Sequence, residues 1–419
     1  MKISLLFTAL MAFGILSDTL ASDPDPLNDS IQKYRTGIIV IQTSPGASVK
    51  VNQLRHEFWF GAAISDGIFN GRTSDQDATI YKEKFLENFN SAVTENALKW
   101  GNMEREQGLV NFATIDNMLA WTDENMIPLR GHNIYWGIPN RVQEWLKDMD
   151  DNQLADALYT RARTIAARYK DRFAEYDLNN EMIHGNYYED RLGEDITAKM
   201  VGWIKEYDQD AKLYLNDYDV LTGNMLRPYV QQIQDLLHQG VPIDGIGVQG
   251  HLHGEMFNPD SLKFALDLLA QFDLPIRITE FNIPGQRSKF LRHGAESIPE
   301  MTDEEEQQKA KNIVDYYRIC FAHPAVEGIL MWGFWEGANW IPASSLYKRD
   351  WTPTPAAKAY QALIFDEWWT DFSGNTDANG VCVVRAFFGT HRIIVNGVEK
   401  VVTLSKENGA VYVQVDAKE

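Results

Sequence analysis

Residues 174–217 read AEYDLNNEMIHGNYYEDRLGEDITAKMVGWIKEYDQDAKLYLND. The stretch opens on a short run, Ala174–Asn180, and closes on another, Leu213–Asn216, with a segment of helical period between them. Each run has the length of a strand and is too short for a helix of ordinary size. Strand, helix, strand in that order is the unit of a parallel sheet. The unit repeats in both directions. Upstream lie the candidate strands Phe58–Ala63, Ser91–Thr94 and Ile127–Gly131; downstream lie Gly245–Gln249, Ile276–Thr279 and Gly328–Gly333. With the first pair that makes eight. No glycine-rich nucleotide loop follows any of them, so the pattern predicts an α/β fold of the closed (β/α)₈ TIM-barrel kind rather than a doubly wound sheet. Thr302-Asp303-Glu304-Glu305 has the form of a capping box. It opens a helix with Ile313, Tyr316, Tyr317, Cys320 and Phe321 on one face, which His323-Pro324 stops. The barrel is expected over residues 58–370, its last helix containing Ala356–Ile364.

The two ends have a different texture. Lys2, the apolar run Ile3–Leu16 and the small residues Thr19 and Ala21 predict a signal peptide over residues 1–21, hence a secreted protein. Residues 22–34 read as a polar tail. Two β-like stretches follow, Gly37–Gln42 and Ala47–Val51, split by Ser44-Pro45-Gly46. Past Trp369 the chain is all β in character: Val381–Phe387, Arg392–Val395, Lys400–Leu404 and Ala410–Val415, with turn signals at Asn396-Gly397 and Asn408-Gly409. Residues 371–419 are few for an independent core, and two N-terminal strands alone are marginal. The expectation is one small accessory β domain built from residues 22–57 and 371–419 together, structural in role, with a carbohydrate-binding module as the alternative. Cys320 and Cys382 are too few for a disulfide framework; one bridge and two free thiols both fit the sequence.

The formal net charge is −20. Phosphate backbones and anionic lipid would be repelled, so neither nucleic acid nor a membrane is an expected partner, whereas a neutral substrate is compatible. Catalytic groups of a (β/α)₈ barrel sit at the C-terminal ends of its strands. Two carboxylates stand out there: Glu181 after Asn179-Asn180, and Glu280 after Ile278-Thr279. They end the fourth and seventh strands, across the barrel mouth from each other. Cleavage of a glycosidic bond needs such a pair. A lone strand-end glutamate more often caps a loop or closes a salt bridge, so context has to decide.

That context is a set of strand-end motifs: Thr94-Glu95-Asn96-Ala97-Leu98-Lys99-Trp100; Gly131-His132-Asn133-Ile134-Tyr135-Trp136; Asn180-Glu181; Asn216-Asp217-Tyr218; Gln249-Gly250-His251; Thr279-Glu280; and Trp332-Gly333-Phe334 with Trp340 behind. In this order they resemble family-10 glycoside hydrolases, whose best-known members are endo-β-1,4-xylanases, over about Phe58 to Ile364. The resemblance implies a retaining enzyme acting on xylan or a related β-linked plant polysaccharide, with Glu280 as nucleophile, Glu181 as acid/base and no cofactor. It also implies that Asn180 holds a sugar 2-hydroxyl, that Glu95, Asn96 and Lys99 bind sugars on the non-reducing side, and that His132 and Trp136 shape the cleavage subsite. By the same resemblance Gln249 and His251 orient Glu280, Trp332 and Trp340 wall the subsite, and Tyr218 lies toward the leaving group. Trp136 and Trp332 would otherwise read as core. His251-Leu252-His253 has a metal-like look but lacks a third ligand at helical spacing, so no metal is expected.

Two positions depart from the family. Asn282 stands where an aspartate usually pairs with the histidine matched by His251, and Gly137 stands where familiar members carry a histidine. Gly137 and the run Asn180–Gly193 look closer to the family's plant-like branch. Two alternatives differ in kind: a non-catalytic polysaccharide-binding protein, and a β-glycanase for another β-linked glycan.

Overall fold

The computed structural model describes residues 25–251, 257–283 and 300–415; the signal-peptide reading lies outside them. The chain starts with a helix, Pro26–Arg35, where the sequence reads as a polar tail. Asp25 caps it by accepting from the Leu27 amide, and Pro26 fills the first turn, where its missing N–H costs nothing. The helix is fixed at both ends of its buried face. Ile31 is fully buried, and the Arg35 guanidinium donates to the carbonyls of Phe321, His323 and Val326, in the last turn of the helix Asp303–Ala322 and just beyond it.

Strands β1 (Thr36–Gln42) and β2 (Ser48–His56) follow. Then come β3 (Trp59–Ile64), β4 (Ser91–Thr94), β5 (Leu129–Gly131), the two-residue β6 (Tyr135–Trp136), β7 (Glu175–Asn180), β8 (Leu213–Asp217), β9 (Gly245–Val248), β10 (Ile276–Phe281) and β11 (Val326–Met331). All neighbours from β3 to β11 pair parallel, and the β5–β7 pairing, Arg130 opposite Glu175, closes the eight-stranded barrel. Helices cover its outside, among them Asp151–Arg168 and Asp303–Ala322, each opened by a complete capping box. The barrel centre is ionic as well as apolar. Glu175 takes both a bidentate fork from Arg277 (2.9 and 3.0 Å) and a bond from Arg130, whose other arm reaches Asp177. All four are buried. Burial would lift Glu175, but the two guanidiniums outweigh it and hold its carboxyl below the usual range.

Beyond the helix Pro355–Gln361 and its π-helical last turn come β12 (Asp371–Asn375), β13 (Val381–Phe387), β14 (Gly389–Val395), β15 (Val398–Leu404) and β16 (Ala410–Gln414). They join the first two strands in two sheets, β13-β1-β16 and β12-β2-β14-β15. Ile39, Ile41, Val49, Val51, Val384, Ile393 and Val413 form the core between them, separate from that of the barrel. Cys320 is buried in the barrel layer and Cys382 in this small core; both are free. Among the described residues no helix is long and apolar enough to cross a membrane.

Candidate active site

The C-terminal strand ends converge on a cleft of about 490 Å³. Twelve of the thirteen site residues expected from the sequence line it: Glu95, Asn96, Lys99, His132, Trp136, Glu181, Tyr218, Gln249, His251, Glu280, Trp332 and Trp340. Asn180 lies just beneath, 1% exposed, its Oδ1 accepting from Asn216. Asn102 and Arg141 also face the cleft. No strand-end motif marks these two. Arg141 comes from the loop after β6 and places its guanidinium 5.0 Å from the Trp136 ring centre, the same distance as Lys99 Nζ from that ring.

Glu280 is buried at the centre. Asn216 Nδ2 donates to its Oε1 at 3.0 Å, His251 Nε2 lies 3.1 Å from its Oε2, and His132 Nδ1 lies 3.8 Å from Oε1. Burial alone would raise this carboxyl. The charges of His132, His251 and Lys99, with the His251 hydrogen bond, outweigh burial and hold it at about 2. The ring of His132 is fixed from below by Asp177, 2.8 Å from Nδ1. Through Asp177 and Arg130 the ion pairs of the barrel centre therefore continue up to Glu280. Lys99 is itself pulled down by burial, against the opposing carboxylates Glu280, Glu95 and Glu181.

Glu181 differs. It is only partly buried, and its two oxygens accept from Trp136 Nε1 and Gln249 Nε2, each at 2.9 Å. Gln249 thus reaches Glu181, whereas the family resemblance assigns it to Glu280. Glu181 turns the chain out of β7 in the left-handed region, φ +64°, a conformation non-glycine residues seldom adopt. The turn is held by the Glu181 amide on Asn216 O and by Asp217, whose carboxylate accepts from the Ile183 amide at 3.0 Å and from His184 Nδ1 at 2.7 Å. Burial raises Asp217 to about 6, the His184 bond working against it. Tyr218 stacks on His184, ring centres 3.6 Å apart, and presents that stack to the cleft.

The two departures have local explanations. Asn282 Oδ1 lies 2.6 Å from His251 Nδ1 and accepts from Trp340 Nε1 at 3.2 Å, while its Nδ2 donates to Ser344 Oγ. An amide offers both an acceptor and a donor here, so it ties the tryptophan wall to the histidine. At Gly137 an added Cβ would meet Asn186 Oδ1 at 3.0 Å and Tyr188 at 3.1 Å. The segment 186–188 fills the space a larger side chain would need. His253 lies outside the described residues, and among the described residues no group of three or more His, Cys, Asp and Glu side chains could hold a metal ion.

Fold and site together define a (β/α)₈ barrel with a two-carboxylate cleft. Residues 51–363 match Glycosyl hydrolase family 10, and the chain belongs to that family. It is 34% identical over 88% of its length to Endo-1,4-beta-xylanase 1 of Arabidopsis thaliana, and 33% identical over 88% to Anti-sigma-I factor RsgI6 of Acetivibrio thermocellus. It spans 37% and 45% of those two proteins. The crystal structure of native xylanase 10B from Thermotoga maritima superposes on 74% of this chain and 96% of its own, with a TM-score of 0.64 and 25% identity.

Proposed function

We propose that the protein is an endo-β-1,4-xylanase that cleaves xylan with retention of anomeric configuration. One observation carries the mechanism: the two cleft carboxyls have opposite environments. Glu280 is held ionised at about 2 by His132, His251 and Lys99 around it, as a nucleophile requires. Glu181 is only partly buried and accepts from two neutral donors, Trp136 and Gln249. In this reading Glu280 attacks the anomeric carbon and forms a glycosyl-enzyme while Glu181 protonates the leaving oxygen. Glu181 then takes a proton from the water that releases the sugar. As the glycosyl-enzyme forms, Glu280 loses its negative charge; when water displaces it from the anomeric carbon the bond's electron pair returns to its oxygen, and His251 and His132 stabilise the carboxylate that leaves. Glu95, Asn96 and Lys99 bind the non-reducing side, Asn180 holds a 2-hydroxyl, and Trp332 and Trp340 supply ring faces beside the reacting sugar.

The relatives named xylanases support the substrate, as does the xylanase 10B of Thermotoga petrophila, crystallised with xylobiose and 25% identical with a TM-score of 0.63. Secretion belongs to the same proposal and rests on the apolar run Ile3–Leu16. The test is proton NMR of early products from xylo-oligosaccharides, beside a panel of xylans and mixed-linkage glucans. Xylose-terminated β-anomers appearing first are expected. The α-anomer first would refute retention, and faster release from glucan would refute the substrate.

A further inference from the structure

At the pole opposite the cleft, the barrel and the small β domain meet around a cavity of about 230 Å³. The barrel contributes Trp59 at the start of β3, Arg277 near the start of β10 and Glu327 near the start of β11. The β-domain side contributes Arg35, Glu57 after β2, Phe388 between β13 and β14, and Lys406 between β15 and β16. Strand starts lie at the barrel face away from catalytic loops, and the cavity shares no lining residue with the cleft. We propose that this cavity is a second binding site, taking a small neutral polyol the size of one free pentose where the two cores meet.

The volume equals about eight waters at their share of the liquid, roughly 30 Å³ each, and falls below the roughly 300–1,000 Å³ of sites for larger ligands. One sugar ring fits and a chain does not. The polar wall is charged but balanced. Arg35, Arg277 and Lys406 face Glu57 and Glu327, and Arg277 is already met by the two-bond fork on Glu175. An anion would be a third negative charge beside two carboxylates; Glu57 is already raised by burial, with Glu327 adding to it and the Lys406 amide working against both. A cation would face two guanidiniums and an ammonium. A hydroxyl donates and accepts at once, so it serves both signs without bringing charge. One donor in this wall lacks a partner. Arg277 Nη1 is buried and makes no hydrogen bond among the described residues, and Gly328 leaves its room, since a Cβ there would meet it at 2.5 Å. A buried donor left unpaired is costly, and a ligand oxygen removes that cost. Phe58, Trp59 and Phe388 supply apolar ring surface for the C–H groups of a sugar. Glu327 and Lys406, 3.6 Å apart, are both partly exposed and leave a way in from solvent.

The experiment is differential scanning calorimetry of the whole chain with D-xylose or L-arabinose, and with acetate, phosphate and putrescine as charged probes. Either pentose should raise Tm by about 2 °C or more at saturation, and the charged probes should not. A pentose can also enter the catalytic cleft, so variants far from it assign the site. Phe388→Trp fills the cavity and Glu327→Ala removes an acceptor; each should weaken the pentose response about tenfold, while product inhibition of hydrolysis, which reports the cleft, stays as in the wild type. Two variants guard against one that fails to fold, as read by circular dichroism. A pentose response that persists in both folded variants belongs to the cleft and overturns the inference. So does the absence of any response, or a response to acetate, phosphate or putrescine that Phe388→Trp removes.

Discussion

Asn216→Asp replaces the amide that donates to Glu280, the proposed nucleophile, with a second carboxylate. Asn216 is 1% exposed; its Nδ2 donates to Glu280 Oε1 at 3.0 Å and to Asn180 Oδ1 at 2.9 Å, and its Oδ1 accepts from Thr279 Oγ1 at 2.6 Å. The aspartate is nearly isosteric, so the shape of the site survives and the charge changes. Two carboxylates about 4 Å apart repel by about 4 kcal/mol at an effective dielectric near 20, which corresponds to about three pH units. Loss of the charge-assisted bond adds about 1.5–3 kcal/mol. Glu280, held at about 2 in the wild type, should then share a proton with residue 216 well into the weakly acidic range, as paired carboxyls do. Asn216→Ala loses the donor without adding charge, and its shift should stop at about one to two units. The assay is the pH profile of kcat/KM on an aryl β-xylobioside with a good leaving group, whose acid limb reports the free-enzyme nucleophile. An aspartate variant with the same acid limb as the alanine variant would refute the electrostatic reasoning. An unchanged limb in both would show that Asn216 does not control the charge on Glu280.

On the same aryl substrate Glu280→Ala should be inactive, whereas Glu181→Ala should keep its first step, accumulate glycosyl-enzyme, and lose about 10²–10⁴-fold on xylan; identical responses to leaving-group quality would reverse the roles. Asn282→Asp puts a negative charge 2.6 Å from His251 Nδ1, so the ring should stay charged to higher pH, moving up by about one to three units; an NMR titration with no upward movement counts against this. His56 and His391, buried between the small sheets and the barrel, are pulled down by burial to about 3 and about 4 from 6.5. They fold neutral, so their contribution is complete above pH 6.5 and is lost as pH falls toward 4 and then 3, about 3 kcal/mol for His391 alone; His391→Gln should flatten the fall of Tm over that window, and an unchanged slope would exclude this origin. Deleting residues 371–419 takes both partners from β1 and uncovers Ile39 and Val51, so Tm should drop while binding to insoluble xylan holds; the opposite pair of results would make this end a carbohydrate-binding surface, with Tyr412, 80% exposed, as its platform.

The barrel was legible because its strands are buried on both faces, and such strands read as short apolar runs between helical segments. Ser91–Thr94 falls where the sequence puts it; other edges moved for local reasons. The strand expected from Ile127 starts at Leu129 because Ile127 still hydrogen-bonds back to Thr122 and Pro128 has no donor to give a ladder. The helix Pro26–Arg35 was hidden by its composition: a single residue, Ile31, carries the buried apolar contact, and the Arg35 anchor is made to carbonyls nearly 300 positions away. Only Asp25-Pro26 signals it. Strand β12, Asp371–Asn375, was missed because it pairs along one edge only and no residue in it is fully buried, so neither periodicity nor hydrophobicity marks it.

At the site, residues that face the cleft were found from their place just past a strand, whereas the groups that hold them were not. Asp177 and Glu175 alternate along β7 within a wholly buried run, and Arg130 and Arg277 occupy corresponding inward positions on β5 and β10. Charged residues at every second position of a strand that packs on both faces are costly unless paired. That costly pattern is the signal the sequence did contain. Its partners could be assigned only once the closure of β5 on β7 brought Arg130 opposite Glu175, a contact between positions 45 apart that no local spacing encodes. The consequence for function is specific. Asp177 is the carboxylate that fixes His132, and His132 is the first of the groups holding Glu280 ionised. The charge on Glu280 is thus set partly from inside the barrel, by residues a search confined to strand ends passes over.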